Sequence, residues 1–235
     1  MYEPPHFVET RPEILHGLIR AHPLGLLVSI GPDGPVADLV PFLLDDDGGR
    51  LRAHVARPNP HWRLLAERPD TKVLVVFQGP DAYITPSWYE TKRETGKVVP
   101  TWNYAMVQVR GVATVRDHGD WIGKQIQDLT EAHEAERAHP WGIADAPESF
   151  IKAQMRGIVG IEIAITGMSG KWKVSQNRPV ADQAASPRGS SRPEALEKRR
   201  WPTSCAHSAP RRGDYQNTLN DFRRVGSRVS WAVKM

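Results

Sequence analysis

The stretch LGLLVSIGPDGPVADLVPFLLDDDGGRLRAHVA, residues 24–56, indicates how the chain folds. Two short polar segments interrupt it, GPDG at Gly31–Gly34 and DDDGG at Asp45–Gly49, and both are rich in residues that suit tight turns. The apolar runs around these turns have strand length: 24–30, 36–44 and 50–56. Short turns between successive strands predict an antiparallel meander.

The same patterns continue to about residue 175. Apolar or alternating runs predict further strands at 71–79, 82–85, 103–117, 158–166 and 171–175, with a bulge or bend at Gly111 and a GMSG turn at 167–170. Helical spacing or helix-end residues predict helices at 59–68, 121–138 and 146–157, while 87–102 is a polar excursion. Antiparallel strands with a few helices predict a mainly β (α+β) fold, a β-barrel edged by helices.

Charge and composition divide the chain near Ala185. Residues 186–235 contain eleven Lys and Arg against four Asp and Glu, a net charge of +7, whereas residues 1–185 carry −3. The tail is rich in Pro, Ser, Gly and Arg, so we predict a folded domain at 1–185 and a disordered or atypical basic tail at 186–235. The tail is interpreted as a solvated or non-native extension, with a nucleic-acid-binding arm as the alternative.

A single cysteine, Cys205, cannot form an internal disulfide, which fits a reducing compartment. The amino-terminal residues lack the pattern of a secretory signal, and no apolar run reaches the ~18 residues of a membrane span. These features predict a cytoplasmic protein without a membrane partner.

The segment HVARPNPHWRLL, residues 54–65, combines an arginine with a helix start. Asn59 is a favoured N-cap and Pro60 suits the first helical position. The first N–H groups of a helix favour an anion, and Arg57 could bind phosphate oxygens with two hydrogen bonds. The alternative is a surface arginine beside an ordinary capped helix.

Two other stretches pair aromatic and polar side chains. KVVPTWNY contains Thr101, Trp102, Asn103 and Tyr104, which could hold a flat heteroaromatic ligand or could serve as packing anchors. PSWY, at 86–89, is functional only if it folds beside the other stretches. GKWKVSQNRP ends the domain with charged and hydrogen-bonding side chains that could contact a ligand: Lys171, Lys173, Ser175, Gln176, Asn177 and Arg178. The alternative is a strand followed by a polar exit loop.

Several common sites are missing from the sequence. There is no GxGxxG or GxxxxGK[ST] loop, no HExxH pair, no cysteine-rich zinc pattern and no helix-turn-helix pattern. We therefore expect no metal site, and the catalytic residues are left unassigned.

Seven stretches, taken in order, resemble the PaiB family over about residues 1–183: YEPPHF, HVARPNPHW, AYITPSWY, GKVVPTWNY, HPW, IVGIEI and GKWKVSQNRP. This family is described as FMN-binding negative transcriptional regulators of bacterial sporulation and degradative-enzyme genes. The resemblance implies an FMN-binding split β-barrel, in most members a homodimer with FMN at the subunit interface. The tail departs from the family pattern, because members continue after SQNRP with an Ala- and Leu-containing helical segment.

By the same resemblance, Arg57 and Asn59 lie near the phosphate, and the later motifs face the flavin or the dimer seam. The full set of candidate cofactor-binding residues is His54, Arg57, Asn59, Ser87, Trp88, Thr101, Trp102, Asn103, Ser175, Gln176, Asn177 and Arg178. The resemblance predicts a regulatory flavoprotein, with direct DNA binding left open. A flavin-dependent oxidoreductase is the alternative, in which the cofactor does the electron transfer. A haem-handling split barrel is a third possibility, with His54 or His61 as ligand.

Overall fold

A computed structural model of the protein describes residues 1–68 and 70–185. It contains eight strands: β1 (Val8–Glu9), β2 (Leu24–Gly31), β3 (Gly34–Pro41), β4 (Leu43–Leu44), β5 (Arg50–Ala56), β6 (Thr71–Ile84), β7 (Thr101–Arg116) and β8 (Ile158–Lys173). The helices are α1 (Pro12–Ala21), α2 (His61–Ala66), α3 (Glu90–Thr95), α4 (Gly119–Glu134), α5 (Glu148–Arg156) and α6 (Val180–Ala185). The predicted tail at 186–235 lies outside the described residues, so its boundary stays a prediction.

All strand pairs are antiparallel and belong to one sheet, with the order β3-β2-β6-β7-β8-β5-β4 and β1 added beside β8. β3 also contacts β5, although the two are far apart in this order, so the sheet curves towards closure. The predicted mainly β fold, an antiparallel split barrel with flanking helices, is confirmed.

The core fills the inside of this curved sheet. Alternate residues of the long strands point inward, such as Val73, Val75 and Phe77 on β6, and these side chains are buried. Helix α1 covers part of the core with a buried apolar stripe that includes Leu15 and Ile19. Burial of apolar surface on this scale is the main stabilising term of the domain.

Two predicted strand breaks are wrong. Residues 71–79 and 82–85 form the single strand β6, because a register shift between Gln78 and Asp81 carries the chain through the predicted gap. The predicted GMSG turn lies inside the continuous strand β8. Gly170 is needed there for packing, since a Cβ atom at this position would lie 2.3 Å from Cδ2 of Leu15. The irregularity predicted at Gly111 is confirmed by a register shift between Arg110 and Gly111.

Other boundaries also differ from the predictions. The predicted strand 36–44 is divided between β3 and β4, with Phe42 buried between them. The predicted helix 59–68 is shorter, at His61–Ala66, and α4 ends at Glu134 rather than at residue 138. The polar excursion 87–102 contains α3, and α1 was not predicted.

The outer face of β2, β3 and β6 is apolar and uncovered by any described helix. Leu26 lies opposite Leu39 on β3 and Val76 on β6, and Val28 lies opposite Leu74. Large side chains at its edge are more than half exposed: Leu24 55%, Ile30 63% and Leu39 64%. We call this set the outer apolar face, and a contiguous apolar surface of this kind is typical of an interaction site.

Candidate functional site

The candidate residues fall into two groups near opposite ends of β8. His54 lies opposite Gly160 near the start of β8, and Arg57 lies at the same end of the strand, where its backbone N–H donates to the carbonyl of Gly157. Tyr104 lies opposite Lys173 at the other end, beside the motif that contains Thr101, Trp102 and Asn103. At about 3.3 Å per residue, these ends are roughly 40 Å apart along the strand. In the described residues, no hydrogen bond or ring contact joins the two groups.

Arg57 is held in place by four hydrogen bonds. Its Nη1 and Nη2 donate to the two oxygens of Asp117, over 2.9 and 2.5 Å, while Nε and Nη2 donate to the carbonyls of Arg156 and Ile158. The ion pair lowers the pKa of Asp117 and raises that of Arg57. Because a guanidinium has five N–H donors, one remains for a ligand unless Asp117 is displaced.

Asn59 caps helix α2 from two residues before its first residue, with Pro60 between them. The helix begins at His61, and the Asn59 Oδ1 accepts a hydrogen bond of 2.8 Å from the backbone N–H of His61. The Asn59 amide also donates to Oδ2 of Asp38 over 3.3 Å. Asn59 therefore ties the start of α2 to β3.

The structure brings together a Ser–His–Asp arrangement that the sequence analysis did not identify. His61 Nε2 lies 2.8 Å from the hydroxyl of Ser29, and Nδ1 lies 2.7 Å from Oδ2 of Asp38. A hydrolase needs an accessible serine, but here Ser29 is 3% exposed and Asp38 is the exposed member. We interpret the arrangement as a structural connection between α2, β2 and β3. Because both ring nitrogens of His61 have partners, His61 is not available as a haem ligand in this conformation.

His54 lies on the outer side of β5 and is largely buried. Its Nδ1 is buried without a hydrogen-bond partner in the described part of the chain, and burial lowers the pKa of the imidazole. The neighbouring outward residue, Arg52, binds Asp45, Asp128 and Gln125, which joins β5 to α4. His54 therefore belongs to the interface between the sheet and α4.

At the other end of β8, several candidate residues contact one another. The Asn103 amide donates to the hydroxyl of Ser175 over 3.0 Å, across 72 positions of sequence. Ser175 is buried and has a φ of 65°, a left-handed conformation that is uncommon for serine and occurs preferentially at functional or tightly constrained sites. Gln176 donates to the carbonyls of His6 and Trp172, so it joins the amino-terminal segment to the end of β8.

Aromatic side chains lie on β6 and β7 at the same end of the sheet. The rings of Trp102 and Tyr83 meet edge to face, with centroids 5.9 Å apart, and Trp102 is 54% exposed. Trp88 is 37% exposed, and its neighbour Ser87 accepts a hydrogen bond of 3.2 Å from Lys92. Among the described residues, no hydrogen bond or ring contact joins Ser87 or Trp88 to the Asn103–Ser175 pair.

The remaining members of the closing motif are more exposed. Asn177 is exposed, and Arg178 lies over the ring of Tyr89 at 5.0 Å. Thr101 accepts a hydrogen bond from Nζ of Lys173, a residue that the sequence analysis noted only for its charge. Because Lys171 and Lys173 are two residues apart on one strand, their shared face could have been read from the sequence.

The donor groups at the two ends fit the two chemical parts of a flavin nucleotide. The Arg57 segment offers one guanidinium donor beside a short helix start. The Trp102 end offers exposed aromatic faces with amide, hydroxyl and ammonium groups beside them. A flat heteroaromatic ring with polar edges and a phosphate ester matches this combination.

A family described as "Putative FMN-binding domain" matches residues 1–167. The chain belongs to this family. The predicted cofactor, FMN, is confirmed by the family match. A Bacillus subtilis relative, "Protease synthase and sporulation protein PAI 2", is 32% identical over 184 residues, covering 77% of this chain and 85% of the relative. The predicted membership of the PaiB family is thereby confirmed.

Similar proteins also occur outside bacteria. An uncharacterised protein of Aspergillus fumigatus is 34% identical over 222 residues, covering 74% of this chain and 85% of the relative. Membership of the FMN-binding family therefore does not indicate a bacterial source. Among solved structures, the FAD and haem binding protein from Mycobacterium smegmatis has a similar fold, with a TM-score of 0.54 and 20% identity. That match covers 71% of this chain and 73% of the other protein.

Proposed function

We propose that the protein is a regulatory flavoprotein that binds FMN non-covalently at the interface of a homodimer. The observation that carries this proposal is the separation of the two candidate groups along β8. Residues 54–65, which contain Arg57, present no exposed aromatic side chain, and the exposed rings of Trp102 and Tyr83 lie near the other end of the strand. A second copy supplies the missing half if the two chains pack so that one chain's Arg57 end meets the other's Trp102 end.

The outer apolar face is the proposed dimer seam. It continues along the outward side of β6 towards Tyr83, and Gln78 on β6 lies opposite Met106 on β7, next to the aromatic group. Packing of this face against a second copy would bury the exposed Leu24, Ile30 and Leu39 side chains. Apolar burial of this kind stabilises association.

The dimer seam can be tested by placing a charge on the outer apolar face, where dimerisation would bury it, and by making the same change elsewhere as a control. Leu39→Glu should give a monomer in sedimentation velocity and a loss of FMN binding. Phe150→Glu changes a similarly exposed apolar residue on α5, away from the outer apolar face, and should leave both properties unchanged. A Leu39→Glu protein that stays dimeric and flavin-bound would exclude this face as the seam.

Transcriptional regulation is supported by the family resemblance rather than by a DNA-binding element. The sequence has no helix-turn-helix pattern, and residues 1–185 carry a net charge of −3, which opposes direct binding to DNA phosphates. Regulation through a partner protein accommodates both facts. A gel-shift titration with the native promoter region at several salt concentrations tests direct binding; the absence of a specific complex would exclude direct repression.

A flavin-dependent oxidoreductase is the second candidate, and the exposure of Trp102 and Tyr83 favours it because a substrate could reach a flavin beside them. FMN supplies hydride or electron transfer when bound. The chain's residues would bind and orient it. NAD(P)H consumption by the FMN-loaded protein with several acceptors tests this role, and a flat trace would exclude these donors and acceptors.

The cytoplasm is the proposed compartment, on the basis of the single cysteine. In the part of the chain that the structure describes, no helix has both the length and the apolarity to cross a membrane.

A further inference from the structure

Three cations lie together at the end of β8, and none of them has an acidic partner in the described part of the chain. Lys171 and Lys173 are on the outward side of the strand, and Arg178 follows in the loop before α6. Among residues 1–68 and 70–185, no carboxylate forms an ion pair with any of the three. In contrast, Arg52, Arg57 and Arg116 each contact a carboxylate.

Lys171 is the most informative member, because it is only 9% exposed. Its Nζ donates to the backbone carbonyl of Tyr2 over 3.0 Å and lies 5.5 and 5.6 Å from the ring centroids of Tyr2 and Tyr104. A carbonyl and two aromatic faces stabilise an ammonium group, but they carry no negative charge. A buried cation without a counter-ion is costly, so an anion bound nearby would stabilise the folded protein.

Lys173 and Arg178 add positive charge close to Lys171. Burial lowers the pKa of Lys173, and the charges of Lys171 and Arg178 lower it further, while Tyr104 acts in the opposite direction. Nζ of Lys173 donates to the Thr101 hydroxyl and to the Trp102 carbonyl. Arg178 stacks on Tyr89, and its guanidinium makes no hydrogen bond with a described residue, so its donors are open to a ligand.

Several acidic residues lie in the elements around this cluster, and none of them forms an ion pair with it among the described residues. Asp182 on α6 is buried and accepts hydrogen bonds from the backbone N–H and the hydroxyl of Thr91. Glu9 lies opposite Gly170 on β1, so it is on the other face of β8 from Lys171, and its carboxylate binds Arg11. Asp81 lies opposite Tyr104, two strand spacings or about 10 Å from Lys173, and accepts from Gln78. In the described part of the chain, the three cations therefore have no directly paired carboxylate.

We propose that Lys171, Lys173 and Arg178 form a binding site for the phosphate group of a small ligand that also carries an aromatic ring. A phosphate dianion matches a cluster of three cations, and the free guanidinium of Arg178 can bind two of its oxygens. Trp102 and Tyr104 lie beside the cations on the same face and offer ring surfaces. The phosphate could belong to FMN, and in that case the proposal rests on the proposed function. A separate phosphorylated compound is the other source.

The site is tested on the full chain with inorganic phosphate as the probe. Calorimetric titration and thermal unfolding should show phosphate binding to the wild type, with at least a tenfold loss of affinity in Lys173→Met/Arg178→Met. The control Lys72→Met/Arg20→Met removes the same charge from two exposed residues outside the cluster and should bind phosphate as the wild type does. The charge-retaining pair Lys173→Arg/Arg178→Lys should keep binding, which separates lost charge from lost folding.

Two results would overturn the proposal: a wild type that does not bind phosphate, or a Lys173→Met/Arg178→Met variant that binds it as tightly as the control. FMN titration then identifies the source. If phosphate competes with FMN and the double Met variant loses FMN affinity, the cluster holds the phosphate of FMN. If the FMN-loaded protein still binds phosphate at this site, the ligand is a separate compound. The two proposals can fail separately. If the wild type binds phosphate but does not dimerise, or does not bind FMN at the dimer seam, the phosphate site stands and the proposed function is rejected.

Discussion

Arg57 and Asp117 form a two-point ion pair across 60 positions of sequence, and it joins the end of β5 to the segment between β7 and α4. Both side chains are exposed, at 37% and 47%, so solvent screening keeps the contribution of the pair to stability small. Its importance is that Asp117 occupies the donors that a phosphate would use.

If Arg57 contacts the phosphate of FMN, Arg57→Ala should weaken FMN binding about tenfold or more while the fold is retained. Ten-fold corresponds to about 1.4 kcal/mol, the range of one charge-assisted hydrogen bond. Asp117→Asn should instead leave FMN binding unchanged or tighten it, because it removes a competing charge. Flavin fluorescence titration measures both, with Arg137→Ala, three residues beyond the end of α4, as the control. Unchanged affinity in Arg57→Ala would exclude the phosphate role.

Ser29→Ala should destabilise the protein more than Asp38→Ala does. The first substitution leaves Nε2 of His61 without a partner inside the protein, where His61 is 1% exposed, at a cost of about 1–3 kcal/mol. The second leaves Nδ1 beside a position that water can reach. Urea unfolding of the two variants gives the comparison, and the reverse order would contradict the structural interpretation of this Ser–His–Asp arrangement.

Arg52→Met should cost about 2–3 kcal/mol of unfolding free energy, because it leaves two partly buried carboxylates, Asp45 and Asp128, without their shared cation. Helix α4 should loosen first, since Arg52 joins β5 to that helix. Hydrogen exchange of α4 amides, compared with that of β6 amides, tests this order. Lys124→Met, which removes a more exposed partner of Asp128, should have a much smaller effect.

The same network predicts a loss of stability in acid. Burial alone raises the pKa of Asp128, but hydrogen bonds from Lys124 and Arg52 outweigh it, so the carboxyl titrates below its ordinary value of 3.8. A carboxyl with a lowered folded pKa stabilises the protein above its ordinary pKa, and this contribution disappears as the pH falls through the folded pKa. The difference in unfolding free energy between wild type and Asp128→Asn should therefore shrink below about pH 4. A difference that is constant from pH 3 to 6 would contradict this assignment.

Local sequence patterns were sufficient for most of the sheet. The turns at Gly31–Gly34 and Asp45–Gly49 and the strand Arg50–Ala56 could be predicted because turn chemistry and strand alternation depend on neighbouring residues. The continuous strand β8 could not, since glycines in GMSG resemble a turn until Leu15 is known to pack against Gly170.

The contacts within the candidate site depend on residues far apart in the chain. Motif composition and the family resemblance identified Asn103 and Ser175 separately, but only the pairing of β7 with β8 brings them together. The same holds for Arg57 with Asp117 and for His61 with Ser29, because nothing in the local sequence specifies which distant strand will lie alongside. The uncompensated charge of Lys171 also became visible only once its burial was known.

The strands β7 and β8 each contain 16 residues and pair along most of their length. Since they carry one candidate group near each end, the distance between the groups is fixed by a hydrogen-bonded ladder rather than by flexible loops. Lengthening a surface loop would leave that distance unchanged, whereas inserting residues into both strands would increase it. In the proposed dimer, the length of β7 and β8 would therefore determine the distance between the two bound flavins.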